Sequence, residues 1–453
     1  DPAMQSNPVL TIEKIDNDSK VNTLRANMTA EYTIFNGLVL KVNGGFNRVN
    51  SLRQQYFKRG TFMGNNSDGS AYWGVVNNFN YLTEYTLNYN KQIKKHRINA
   101  VGGYTFQDWK VENIGIQATG FINDNLGYNG MQYASAVNTP SSKVQEWALA
   151  SYLARANYSF ANRYLVTFTG RYDGSSRLAA GHKWDFFPSL GLGWNVHNER
   201  FMKAQRWINQ FKIRGSYGLS GSQSVPVGST QALLTAYRAA VEIGRVVTGT
   251  VLDGFENQNL GWEKTKQFNL GADLAFQGGK YTLSVDLYRK ITNDLLINTD
   301  IPADNGFTSY MANAGEIENK GIEFDLAAHV LSGKLKWIVS GNIAFNRNKV
   351  ISVGATPQIY GRNLINAQLG QPATISRPGS AVGAFYGYKV IGLFQNDEEI
   401  AKSPVDNIDP QPGDFKYEDV TEDGKINEDD RTIIGNPNPD YTFGISNEFS
   451  YKN

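Results

Sequence analysis

Three observations predict an all-β chain, an antiparallel transmembrane β-barrel wall. Segments about ten residues long carry apolar side chains at every second position. The connections between them alternate between short and long, and aromatic residues gather beside the short ones. In 164–173, Tyr164, Val166, Phe168 and Tyr172 share one face, and Leu165, Thr167, Thr169 and Arg171 the other. Successive side chains of a strand point to opposite faces, so the period is that of a strand. In 267–276, 281–290 and 321–331 the acids Asp273, Asp286, Glu323 and Asp325 all fall on the face away from the large apolar residues.

Thirteen segments read as strands. Segments 22–34 and 38–46 flank Asn36-Gly37, a dipeptide suited to a tight hairpin. Segments 79–89 and 96–106 flank 90–95, 147–159 and 164–173 flank 160–163, and 267–276 and 281–290 flank 277–280. Segments 321–331 and 335–346 flank 332–334, and 441–451 comes last. Between 186–196 and 211–219 the junction 197–210 breaks the rule, and a short helix is predicted around Phe201 to Trp207. The other connections are long, up to the 94 residues of 347–440. Turns at one end and loops at the other are the pattern of an outer-membrane barrel. The aromatic residues Phe35, Tyr89, Phe160, Tyr164, Trp207, Phe211, Phe276, Tyr281 and Trp337 border the turn end, as an interfacial girdle would.

At 453 residues the chain is long enough for one large domain, and no boundary divides it. Mean hydropathy is −0.41, and no run approaches the ~18 apolar residues of a membrane helix. Barrels escape that test because only alternate residues face lipid. A formal charge of +2, with Lys and Arg scattered, gives nucleic acid no footprint. There is no cysteine, hence neither disulfide nor thiolate metal site. The start, Asp1-Pro-Ala-Met-Gln, carries no export signal, so an exported protein beginning this way is expected to be processed or incomplete.

No enzyme is predicted. Nucleophile-elbow, Walker, zincin and dinucleotide motifs are missing, and His96, His182, His197 and His329 lack ligand spacing. The acid pairs Glu398-Glu399 and Asp429-Asp430 read as solvated loop charge. One segment does carry ligand chemistry. In 419–430 oxygen donors stand at the first, third, fifth, ninth and twelfth places, Asp419, Thr421, Asp423, Asn427 and Asp430. Gly424 is sixth and the carbonyl of Lys425 seventh, a spacing similar to an EF-hand calcium loop. Thr421 and Asp430 replace stronger ligands, so weak Ca2+ binding with a structural role in an extracellular loop is the expectation.

The motifs also carry a family likeness. Arg171-Tyr-Asp-Gly-Ser-Ser-Arg177, Phe186-Phe-Pro-Ser-Leu-Gly-Leu-Gly-Trp194 and Ile213-Arg-Gly-Ser-Tyr-Gly218 come first. Asn259-Leu-Gly-Trp-Glu-Lys-Thr265, Asn313-Ala-Gly-Glu-Ile-Glu-Asn-Lys-Gly-Ile-Glu323, Phe385-Tyr-Gly-Tyr388 and Gly435-Asn-Pro-Asn-Pro-Asp-Tyr-Thr-Phe443 follow. In that order they resemble the SusC/RagA family of TonB-dependent outer-membrane transporters, strongly over 171–447 and more loosely at Asn7-Pro-Val-Leu and Ala30-Glu-Tyr32. The resemblance implies a twenty-two-strand barrel around an amino-terminal plug, with a SusD-like lipoprotein lid. It also implies import of glycan or peptide driven through TonB, by a single transporter and lid pair or by a dimer of such pairs. Neither a plug nor the closing strands is seen in 1–453, which is expected to be the middle of a longer polypeptide or one piece of a barrel.

On this reading Arg155, Arg171, Arg214, Asp273, Asp286, Glu323 and Asp325 face the lumen. An Arg or Lys facing lipid at mid-membrane costs about 2 to 4 kcal/mol, so the charged side should avoid it. Solute contacts are expected from the loops 62–73, 109–133 and 221–262. The alternatives are a secreted β-sandwich or propeller that binds carbohydrate, and a β-rich glycoside hydrolase. Both leave the alternation of turns and loops unexplained.

Overall fold

The computed structural model describes residues 8–242, 245–302, 304, 306–361, 371–406 and 409–452. Asn7 of the looser amino-terminal motif, and parts of the loops 221–262 and 347–440, lie outside them. Thirteen strands form one antiparallel wall: β1 Ile15–Phe35, β2 Leu38–Phe57, β3 Ser70–Ile93, β4 His96–Thr119, β5 Ser141–Phe160, β6 Tyr164–Ser175 and β7 Trp184–Asn195. They continue as β8 Ile208–Ser222, β9 Glu263–Phe276, β10 Tyr281–Asn293, β11 Glu316–Ser332, β12 Leu335–Ser352 and β13 Thr442–Tyr451. Each wall strand pairs with its neighbours in sequence, and the two-residue strand Ala136–Val137 adds to β4 at its end. The wall is open, with β1 and β13 each paired on one side among the described residues.

Every predicted segment overlaps a wall strand, but several strands run well past the predicted bounds at the loop end. β2 reaches Phe57 rather than 46, β4 reaches Thr119 rather than 106, and β3 starts at Ser70 rather than 79. The cause is the loss of the two-residue period. In β4 the outward Tyr104 and Phe106 give way to Asp108, Lys110 and Glu112 on the same face, so polar residues occupy both sides while the backbone ladder continues. Two predicted solute loops shrink accordingly, since Ser70–Trp73 belongs to β3 and Trp109–Thr119 to β4. The helix predicted at 201–207 is absent. Two single 3-10 turns, Val196–Asn198 and Arg200–Met202, stand in its place, and Gln205 and Trp207 lie beyond them.

The tight turns demand unusual backbone where they should. Gly37 has φ +97°, and a Cβ there would lie 2.4 Å from the carbonyl oxygen of Asn90 on the neighbouring strand. At the opposite end the chain builds small cores. Leu178, Ala179, Phe187, Val225, Leu260 and Trp262 are buried together above β6 to β9. Tyr56, Ala71, Ala118 and Phe121 form a second cluster above β2 to β4, where the Tyr56 hydroxyl donates to Asp124 at 2.9 Å. The long connection after β12 carries its own four-stranded sheet, in the order Ile359–Tyr360, Thr374–Ser376, Ala384–Gly387, Thr432–Gly435.

Candidate functional site: a wall with two faces

Cross-strand register sorts side chains into rows, and consecutive rows alternate in face. From β9 to β13 one row is Leu274, Leu283, Leu326, Gly341 and Ile445, and another is Ala272, Val285, Phe324, Ile343 and Phe443. Between them runs Asp273, Ser284, Asp325, Asn342 and Gly444, and beyond runs Gly271, Asp286, Glu323, Ala344 and Thr442. The apolar rows are not covered. Phe168 is 47% exposed, Leu326 54% and Ile445 71%, and the band continues through Leu24, Met28, Tyr85, Tyr152, Leu192 and Phe268. Val166, Leu283 and Val285 are half-buried by neighbours in the sheet, and the wall's strands pair in a single sheet. An apolar surface spread across thirteen strands far exceeds the few hundred Å² that soluble monomers expose. Near its turn-end margin rings stack, Trp207 on Phe276 at 5.5 Å and Trp337 on Phe449 at 5.4 Å.

All seven residues assigned to the lumen share the opposite face. Arg155 pairs with Thr169, which lies two residues from Arg171, and the row continues through Ser189 and Gly218 to Gln267. That row has the same parity as Arg214, Asp273, Asp286, Glu323 and Asp325. Four of the seven are in ion pairs. Arg214 donates to Asp286 through Nη1 at 2.5 Å and Nη2 at 2.6 Å, and its Nε donates to Asp273 at 3.2 Å. Arg171 donates to Asp173 at 2.8 Å and to the Ser151 hydroxyl at 2.9 Å. Arg155, Glu323 and Asp325 are exposed and have no salt bridge among the described residues.

Sequence reasoning missed much of this polar face. In the first strands it is built mostly from amides and hydroxyls, with few charges among them: Thr29 donates to Asn43 at 2.8 Å, Asn43 to the Glu84 carboxylate at 2.9 Å, and Asn157 to Asn99 at 2.9 Å. The signal was available as Asn and Thr at alternate positions, hidden by attention to charge. Open cavities lie along this face, one of about 430 Å³ lined by Arg25, Asn43 and Gln107, and one of about 630 Å³ lined by Gln210, Asp325 and Asn342.

At the loop end the separate sequence motifs meet. The Trp262 ring packs edge-on against Phe187 at 5.3 Å, and its Nε1 donates to the Lys183 carbonyl at 2.9 Å. Asn313 accepts from the Gly261 amide at 2.7 Å and donates to the Gly261 carbonyl at 3.0 Å. Phe385 pairs with Gly435 in the small sheet, and Arg431 lies over the Tyr386 ring at 4.6 Å.

In 419–430 the six predicted ligand positions form a self-contained turn. Asp430 is fully buried and accepts from the amides of Val420, Thr421 and Asn427 at 2.9, 3.1 and 2.9 Å and from the Thr421 hydroxyl at 3.0 Å. These bonds, the Asn427 amide foremost, hold its carboxyl below the usual carboxylate range. Asp419 accepts from the Gly424 amide at 2.8 Å, Asp423 from the Lys425 amide at 2.9 Å, and the Asn427 side chain caps Asp429. Among the described residues no three acidic or histidine side chains converge as a metal site. Glu398 and Glu399 are engaged by Lys402 and Lys416 at 2.7 and 2.9 Å.

A family model described as TonB dependent receptor-like, beta-barrel matches residues 6–445. TonB-dependent receptor P3 of Formosa agariphila is 34% identical over 98% of this chain and 44% of its own length. TonB-dependent receptor SusC of Bacteroides thetaiotaomicron is 33% identical over 67% of this chain and 30% of its own length. The fold is shared with the RagAB peptide transporter at a TM-score of 0.81 and 23% identity, covering 97% of this chain and 47% of that one. The chain thus spans less than half the length of these relatives. It belongs to the TonB-dependent receptor β-barrel family, in its SusC/RagA branch.

Proposed function

We propose that this chain forms part of the wall and the extracellular loops of an outer-membrane importer that passes an oligosaccharide or a peptide. The importer works with a SusD-like lipoprotein lid and draws energy through TonB. One observation carries the reading: the same thirteen strands present an uncovered apolar band on one face and an ion-paired, amide-rich face on the other. In water the first face would drive association, whereas in a bilayer it meets acyl chains and the second encloses a hydrated passage. An open wall would leave two strand edges in hydrocarbon, where each unmet backbone group costs several kcal/mol. Further strands therefore complete the barrel, around a plug supplied by the rest of the polypeptide.

A secreted carbohydrate-binding sandwich would need a second sheet over the apolar rows, and the wall strands pair in one sheet only. The test uses the full-length receptor in its own outer membrane. Affinity purification is expected to bring down a SusD-like lipoprotein, and deletion of the receptor to abolish uptake of one class of labelled oligosaccharide or peptide. Uptake unchanged by the deletion, or unchanged when TonB is removed, contradicts the proposal.

A further inference from the structure

The outward rows change character at one height. Leu270, Leu287, Ile322 and Phe345 form the last fully apolar row of β9 to β12. One pair closer to the long loops the row is Phe268, Arg289, Lys320 and Arg347. Three cations thus stand side by side on adjacent strands, where Cβ atoms are about 5 Å apart and like charges directly opposite one another repel. Their local counter-charge is incomplete. Glu318, in the next row, meets Arg289 at 2.6 Å, and Asp440, 78% exposed, meets Arg347 at 2.7 Å. Lys320 is exposed and has no salt bridge among the described residues, while Lys349 and Lys266 add positive charge in the row beyond.

This is not a general property of the rim. Above the band on β4 and β5 the outward charges are Asp108, Lys110, Glu112 and Glu146, and Lys110 is bridged to both glutamates at 3.1 and 3.0 Å. The height is also specific. From Phe276 at the turn end to Phe268 the strand rises about 27 Å, or about 21 Å along the membrane normal at a tilt of ~40°, against a band ~25 Å tall. The cation row therefore lies about 4 Å inside the loop-side edge of that band, close enough for the long Arg and Lys side chains to snorkel to the headgroups.

We propose that Arg289, Lys320 and Arg347 bind the phosphate of an anionic lipid headgroup, whose acyl chains lie along Leu287, Ile322 and Phe345. The inference rests on the membrane reading above. Arginine offers paired N–H donors that match phosphate oxygens, and a shared anion turns the repulsion within the row into attraction.

The full-length receptor, purified in uncharged detergent, is titrated with dimyristoyl phosphatidic acid or with dimyristoylglycerol, and retained lipid is counted by native mass spectrometry. The double variant Lys320→Gln/Arg347→Gln is compared with Lys110→Gln, and circular dichroism checks that each is folded. Should the double variant misfold, Lys320→Gln alone takes its place. Phosphatidic acid is expected to be preferred over dimyristoylglycerol about tenfold, with the preference lost in the double variant and kept in Lys110→Gln. Equal retention by wild type and double variant, equal loss in Lys110→Gln, or displacement by equimolar inorganic phosphate overturns the site. Solubility without detergent would instead overturn the membrane reading on which it stands.

Discussion

Arg214 on β8 reaches Asp286 on β10, two strands away, because residue 271 between them is a glycine. A Cβ at 271 would lie 2.6 Å from Arg214 Cζ and 2.9 Å from Asp286 Oδ1, so the strand between the partners must be bare for the guanidinium to cross it. The result is one cation holding Asp273 and Asp286 on the polar face, with the Ser284 hydroxyl donating to Asp273 at 2.9 Å. Because the pair is partly exposed, its ionic contribution is modest. Gly271→Ala is expected to push the Arg214 guanidinium off Asp286 and, because the atoms it meets are the ends of flexible side chains, to destabilise the wall by at most about 1 kcal/mol, read as a slightly lower Tm of the full-length receptor in detergent. An unchanged Tm would mean that the arginine reroutes at no cost. Sequence alone placed Arg214, Asp273 and Asp286 on one face, since parity is local. That 271 had to be Gly was illegible, because it depends on which strands become neighbours.

Within single elements the period of two was legible where one side is apolar and the other polar, as in β6 and β10. It failed where both sides meet water or protein, as in β4 beyond Phe106 and in β3 before Phe79. The loops were less legible still. The motifs 259–265 and 313–323 could be seen as family marks, but that Asn313 would clasp Gly261 beside Trp262 follows only from the folded arrangement. In the 419–430 turn, Asp430 spends both carboxylate oxygens on four donors. Its folded pKa is depressed, so its stabilisation is present above the unfolded carboxylate value of about 3.9 and is lost as pH falls through the folded value. Hydrogen exchange of this segment is expected to show protection at pH 7 that weakens well below pH 4, allowing for the intrinsic pH dependence of exchange. In Asp430→Asn the Asn427 amide meets an NH2 group, and protection should fall already at pH 7. Calcium remains a proposal for this turn: Asp430 would trade amide donors for metal, which places affinity near the ~10⁻³ M range of extracellular modules. Protection unchanged up to about 10 mM calcium would remove it.

For the whole molecule, the two faces must have two solvents. Thirteen antiparallel strands with turns at one end and loops at the other fix the topology, and register converts that topology into apolar and polar rows. The chain contains no cysteine, so a single introduced thiol in this region reports one position. The most direct measurement places a spin label at Leu283→Cys or Ser284→Cys, adjacent residues of β10 on opposite faces, in the full-length receptor reconstituted in phospholipid vesicles. Relaxation by oxygen, which concentrates in lipid, should dominate at 283, and relaxation by a water-soluble nickel chelate at 284. Nickel dominating at 283, or the same response at both positions, would contradict the assignment of the apolar face to the bilayer.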